Sequence, residues 1–356
     1  MRKLPIPMLA VTAALLAAAC QGLGGGPEAD SIRSADSSPP VSSAPAAVEP
    51  ATIVGEDPVA DAEIRRAVER TLPYLEEHGV AWIDKHQCTS CHQIPVMIWT
   101  HHSAAERGLE VDGAKLDEWT KWVLAEAQGK GSSNSDGMAQ LILGRPAAMD
   151  GAYVEGFDAL TELVAGRQKA DGSWKAGGQL PDQRRPESET HRVSTAWAVL
   201  ALASLDEPGE AVDRGRARID GWIEAGAEGE SHEWLVVRLL YADRFGDEGL
   251  ERELFDQLAA EQNSDGGWSW LRGEASDAFA TGQSLYALGL LGRVPGDPVV
   301  RRARQFLLDT QEEDGTWFVR STLSEGKGVT PTSRYWGTGW AAIGLLSTLS
   351  EAVPRG

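Results

Sequence analysis

The sequence predicts an all-α protein made of six helical hairpins, and two observations carry that prediction. One seven-residue pattern, Q-x-x-D-G-x-W, occurs at residues 168–174, 262–268 and 311–317, each time between an amphipathic helix and an Ala/Leu-rich helix. The repeating unit is therefore helix, turn, helix. Asp265 and Asp314 lie 49 residues apart, and Asp171 and Asp265 lie 94 apart, close to twice that spacing. A degenerate unit belongs in the longer gap.

The elements follow in order. Residues 1–20 are a targeting segment: Arg2 and Lys3 open it, residues 4–19 are apolar, and Ala17-Ala18-Ala19-Cys20 closes it. That apolar run is short for a bilayer span. Residues 21–57 are rich in Gly, Ser, Pro and Ala, with Gly24-Gly25-Gly26 and Pro39-Pro40. Such a stretch cannot bury enough apolar surface to fold and reads as a flexible tether. The body, 58–352, starts with helices over 61–84 and 94–107. A second pair covers 116–127 and 135–143. The third, fifth and sixth pairs flank the three motifs, their second helices holding 195–202, 281–288 and 338–345. The degenerate fourth pair covers 216–224 and 231–240. Within each motif Asp-Gly turns the chain, and Gln and Trp tie neighbouring hairpins together, a structural role.

These motifs resemble the QW repeats of squalene-hopene cyclase and other triterpene cyclases. The same hairpins build the β subunits of protein prenyltransferases. The resemblance covers residues 58–350 and implies an α/α toroid of inner and outer helices with a cavity at one mouth. The residues depart from that family at its chemistry. Protonating cyclases use D-x-D-D, in which a dry carboxylic acid is tuned by neighbouring carboxylates. This chain has none. The nearest equivalent, Asp277, reads as a helix N-cap. Complement-type thioester domains share the toroid but need Gln three residues after their Cys; here Gln93 follows Cys91 by two.

The first hairpin carries a different motif at its turn, Cys88-Thr89-Ser90-Cys91-His92. C-x-x-C-H is the attachment pattern of c-type haem: two thiols reach the two vinyl groups, and the next histidine becomes the proximal iron ligand. Cys88 and Cys91 would hold one covalent haem c, with His92 on the iron. His232, His191 and Met138 are the distal candidates. Met97, His101 and His102 follow His92 on its own helix and leave on the proximal side. Arg184, Arg185, Arg192, Arg334 and Tyr335, near inner-helix starts, could receive haem propionates. A disulfide or a redox C-x-x-C are rival readings of the cysteines. So is zinc on Cys88, Cys91 and His92, with His191 or His232 as fourth ligand.

Ala-Ala-Ala-Cys resembles a bacterial lipoprotein box. That resemblance implies lipidation at Cys20 and a membrane-anchored protein on the periplasmic or cell-envelope face, reached through export. The chain carries a formal charge of −20, which repels phosphate backbones and argues against a nucleic-acid partner. The expectation is an exported, lipid-anchored haem c protein on a cyclase-like toroid, working in electron transfer or haem-based redox chemistry with a redox partner or an apolar small molecule. The alternatives are a terpenoid-handling or zinc-dependent toroid enzyme without haem, and a non-catalytic binding scaffold.

Overall fold

The computed structural model describes residues 58–89, 93–127, 134–177, 182–205, 209–293, 295–324 and 328–349. The leader, Cys20, the tether, Cys91 and His92 lie outside them. Among the described residues there are twelve helices and only isolated β-bridges. They are α1 (Pro58–His86), α2 (Gln93–Glu106), α3 (Gly113–Ala127), α4 (Ser135–Leu143), α5 (Gly151–Ala165), α6 (Glu187–Ala203), α7 (Glu210–Glu224), α8 (His232–Phe245), α9 (Glu248–Ala260), α10 (Ala278–Leu290), α11 (Pro298–Thr310) and α12 (Pro331–Ser347). None is long and apolar enough to cross a membrane.

Consecutive helices form the six expected hairpins. The even-numbered helices are buried on nearly every side, and they touch in the order α2–α4–α6–α8–α10–α12–α2. That order is a closed inner ring. The odd-numbered helices bury one stripe each, as α9 does with Leu254 and Leu258, and form the outer layer. The α10–α12 contact is the tightest. A Cβ on Gly282 would stand 2.3 Å from the carbonyl oxygen of Trp340, so glycine lets the two backbones meet. α7 starts at Glu210 rather than 216. Gly215 lies inside it, because a Cβ there would sit 2.5 Å from Val199 Cγ2.

The three motifs share one geometry. Each tryptophan is at most 1% exposed. Its Nε1 donates to the carbonyl ten residues back: Val164 for Trp174 (2.7 Å), Leu258 for Trp268 (2.9 Å), Leu307 for Trp317 (2.8 Å). Its backbone N–H donates to a threonine on the following inner helix, Thr195, Thr281 or Thr338. Tryptophan thus locks its own hairpin. The glutamine reaches across to the next one. Nε2 of Gln168, Gln262 and Gln311 donates to the carbonyls of Ala211, Val299 and Ala67. Their Oε1 atoms accept from Arg214, Arg302 and Arg70, each three residues further along that neighbouring helix. The motif glycines have φ of 83°, 93° and 80°, and a Cβ on any of them would strike the carbonyl oxygen of that same arginine. Gln311 therefore joins the sixth hairpin to the first, and the ring closes.

Candidate functional site at the mouth of the ring

α1 has 29 residues, against 13–15 in the other outer helices. The residue after its last turn, Gln87, is the sole non-glycine residue with positive φ (48°) among the described residues. Left-handed backbone at a non-glycine residue is uncommon and draws attention to the turn it makes. That turn delivers Cys88, which is half-buried and disulfide-bonded. On either side of the undescribed part of the motif, Thr89 and Gln93 are buried. Thr89 Oγ1 and Gln93 Oε1 have no hydrogen-bond partner.

The distal candidates sit in other hairpins. Met138 is fully buried in α4, its sulfur 3.8 Å from the Arg167 guanidinium. His232 is 1% exposed. Its Nε2 lies 2.7 Å from Ser284 Oγ, its Nδ1 lies 3.5 Å from Glu261 Oε2, and its ring stacks on Trp268. Iron or zinc binding by His232 would require breaking these contacts. Ser284, His232 and Glu261 have the outline of a catalytic triad, but Ser284 is fully buried and its hydroxyl also reaches the Ala280 carbonyl. No substrate can approach it, and the three residues act as a tie between α8, α9 and α10. His191 is half-buried, 4.0 Å from Glu187, and its Nε2 accepts no bond. It is the one distal candidate with a free ring nitrogen. Thr195, one turn along α6, bonds Trp174, so His191 faces the loop of its own hairpin. Among the described residues no three His, Cys, Asp or Glu side chains converge as a metal site.

The arginines expected near inner-helix starts are committed to protein partners. Arg184 pairs with Glu274 at 2.6 Å, Arg192 donates to the Glu228 carbonyl, and Arg334 pairs with Asp314. Tyr335 donates to the Leu75 carbonyl. Arg185 goes furthest inward. Its guanidinium bonds Glu233 Oε2 (2.8 Å), Ser231 Oγ and Thr190 Oγ1, and it lies over the Trp270 ring. Glu233 is the second residue of α8. Its other oxygen accepts from Trp197 Nε1 (3.1 Å) and Gln283 Nε2 (2.9 Å). Nearby, Asp136, the second residue of α4, accepts from the Gly177 N–H. Burial pushes its carboxyl up to about 6, and the charge of Glu233 adds to the rise.

Below these acids the bore is aromatic. Trp340 meets Trp99, Trp197 and Tyr286 with ring centroids 5.2, 5.6 and 5.8 Å away. α6 and α12 stand opposite each other in the ring, so their tryptophans close the bore at this level. Three polar atoms there have no partner: Trp340 Nε1, Gln140 Oε1 and Gln283 Oε1. Above the acids, the loops of hairpins three and six meet. Gln183 and Leu323 form an antiparallel bridge, Arg184 N–H donates to the Thr322 carbonyl (2.9 Å), and Ser324 Oγ bonds Asp182. This strap crosses the mouth, and Arg185 pins it to Glu233.

Asp277 does cap α10. Its Oδ1 accepts from Ala280 N–H and its Oδ2 from Trp270 N–H. Asp136 and Glu233 passed unremarked in the sequence. Their signal is a carboxylate at the second position of a helix whose other residues are nearly all buried.

The raised carboxyl of Asp136 makes stability depend on pH. A folded-state value above the unfolded one (about 4) favours the folded form most at low pH. That contribution fades as pH rises through about 6. Its size is about 3 kcal/mol. Asp136→Asn should flatten the fall in urea-measured stability between these pH values. Asp277, also pushed up to about 6 by burial, keeps part of the slope in the variant. An unchanged slope would show that Asp136 does not titrate in this range.

Residues 221–320 match the model of the squalene-hopene cyclase N-terminal domain. The chain folds as an α/α toroid. Solved structures agree on the fold. A glycosidase variant in complex with glucose superposes with a TM-score of 0.55 at 12% identity, covering 83% of this chain and 100% of that one. A possible GH105 family member from Salmonella enterica gives 0.53 at 13% identity, covering 85% and 96%. A type II terpene cyclase, MstE, from Scytonema, in complex with geranylgeranyl dihydroxybenzoate, gives 0.50 at 13% identity, covering 82% and 98%. No curated protein matches the sequence. The toroid is thus shared with proteins of different chemistry, and the likeness speaks to fold alone.

Proposed function

We propose that this toroid is an exported, lipid-anchored c-type haem protein that works in electron transfer or haem-based redox chemistry at the cell envelope. The observation that carries the reading is C-x-x-C-H at the turn of the first hairpin, on a helix twice the length of its counterparts. The chain's own donors fit the group. Cys88, once released from its disulfide, and Cys91 would form the two thioethers, and His92 would take the proximal iron position. The orphaned Thr89 Oγ1 and Gln93 Oε1 flank that position and offer hydrogen bonds to whatever occupies it. Haem c supplies a one-electron couple when bound. Of the distal candidates, only His191 has a ring nitrogen without a hydrogen bond; that nitrogen lies 4.0 Å from Glu187 and would have to leave it and the loop of hairpin three to reach the first hairpin. Cys20 would carry the lipid that holds the tether to a membrane surface, leaving a redox partner to meet the body, 58–352.

The test is intact mass and a pyridine haemochrome spectrum of the full chain made with a haem c maturation system and exported. The expected result is a lipidated mature chain with one covalent haem, lost in Cys88→Ser and in Cys91→Ser. A wild-type preparation without covalent haem would overturn the reading.

A second reading has its own observation, the Asp136–Glu233 pair at the mouth. A buried acid titrating near 6 beside an arginine-held carboxylate suits proton transfer in a toroid enzyme without haem, terpenoid-handling or zinc-dependent. Stoichiometric zinc with no iron would favour it over the redox account. An empty protein with no bound small molecule would favour a binding scaffold.

A further inference from the structure

Away from the mouth, a cleft of about 880 Å3 opens between α1 and the segment entering α3. Six carboxylates line it: Glu69, Glu76, Glu77 and Asp84 from α1, and Glu110 and Asp112. Lys115 pairs with Glu76 at 2.6 Å, which leaves five carboxylates in excess. Between the acids run apolar side chains, Leu72, Val80 and Val111 among them. Along α1, Glu69, Glu76 and Asp84 are spaced seven and eight residues apart, steps of about 10–12 Å on one helical face.

A second observation points to what this cleft takes. His101 from α2 forms part of its lining and is only 2% exposed. Its Nδ1 lies 2.8 Å from the Met97 carbonyl, so that nitrogen carries the proton and donates. Burial holds the ring neutral. Nε2 is then an acceptor, and it has no partner. A buried acceptor left empty costs about 1–3 kcal/mol, and only an N–H or O–H donor relieves it. Acids at wide spacing, methyl groups between them and one buried acceptor describe a ligand with separated cationic donors on an aliphatic chain. A divalent cation is a poorer match, since among the described residues no three ligating side chains converge.

We propose that this cleft binds an extended aliphatic polyamine, with its ammonium groups on the carboxylates and one N–H donated to His101 Nε2. The proposal stands apart from the redox reading and holds with or without haem. The experiment is calorimetric titration of the full chain with spermidine, alongside a nitrogen-detected NMR titration of the histidine side chains. Saturable one-to-one binding is expected, with the His101 Nε2 resonance moving and affinity falling with salt. Replacing three exposed cleft acids, Glu69→Gln, Glu77→Gln and Glu110→Gln, should weaken binding by about tenfold. A control with equal charge loss elsewhere, Asp213→Asn, Glu248→Gln and Glu253→Gln, should bind as the wild type does. Any of three results overturns the proposal: no saturable binding, equal loss in both triple variants, or stoichiometric displacement of spermidine by magnesium.

Discussion

Alanine at Glu233 should cost about 3–5 kcal/mol of stability, the penalty for stranding a buried charge. Arg185 is the stranded group: its side chain is 1% exposed, and Glu233 is its counter-charge. The same substitution removes the acceptor of Trp197 Nε1 and Gln283 Nε2. Replacing both members, as Glu233→Met with Arg185→Met, should recover most of the loss, because apolar pairs of similar volume commonly do as well as buried ion pairs. Urea unfolding of the wild type, both single variants and the double variant gives the complete cycle. A cost below about 1 kcal/mol for Glu233→Ala would mean that Arg185 can leave the mouth freely, and the strap would not be pinned.

Trp317→Ala should cost a similar amount, about 3–5 kcal/mol, through lost burial and the cavity left behind. Trp317 is 1% exposed and bonds both the Leu307 carbonyl and Thr338. Its loop also presents Gln311 and Gly315 to α1. Trp174→Ala is the matched comparison, since the same side chain there serves hairpin three. Both variants should lose comparable stability in urea. Only Trp317→Ala should speed amide exchange across residues 64–75 of α1. Equal exchange there in the two variants would show that the last motif does not secure the first helix.

The hairpins were legible because their turns repeat a chemistry that solves the same problem each time. Q-x-x-D-G-x-W names a carbonyl clamp, a turn and a buried indole, and all three copies fold alike. Hairpins two and four lack the motif, yet their helices stood out as apolar stripes of the expected length. In the fourth, other residues substitute: Trp234 Nε1 bonds the Ala227 carbonyl, and the buried Glu189 accepts the N–H groups of Glu230 and Ser231. What lay beyond reading was everything set by cross-ring pairing. Gln183 and Leu323 meet over a separation that no local pattern encodes. Arg185 looked like a partner for an external carboxylate and instead meets Glu233 on the inner helix of the next hairpin. The C-x-x-C-H motif, by contrast, is wholly local, and it stands or falls on chemistry rather than on fold.

The Gln311 clamp on Ala67 and Arg70 has a mechanical corollary. Linear helical arrays fray from their outermost units and need polar caps to stay soluble. Here no unit is outermost, since the sixth hairpin borrows the first as its neighbour. Breaking the Gln311 clamp would turn the first and sixth hairpins into end units that the intact ring does not have, and opening would then proceed unit by unit instead of all together.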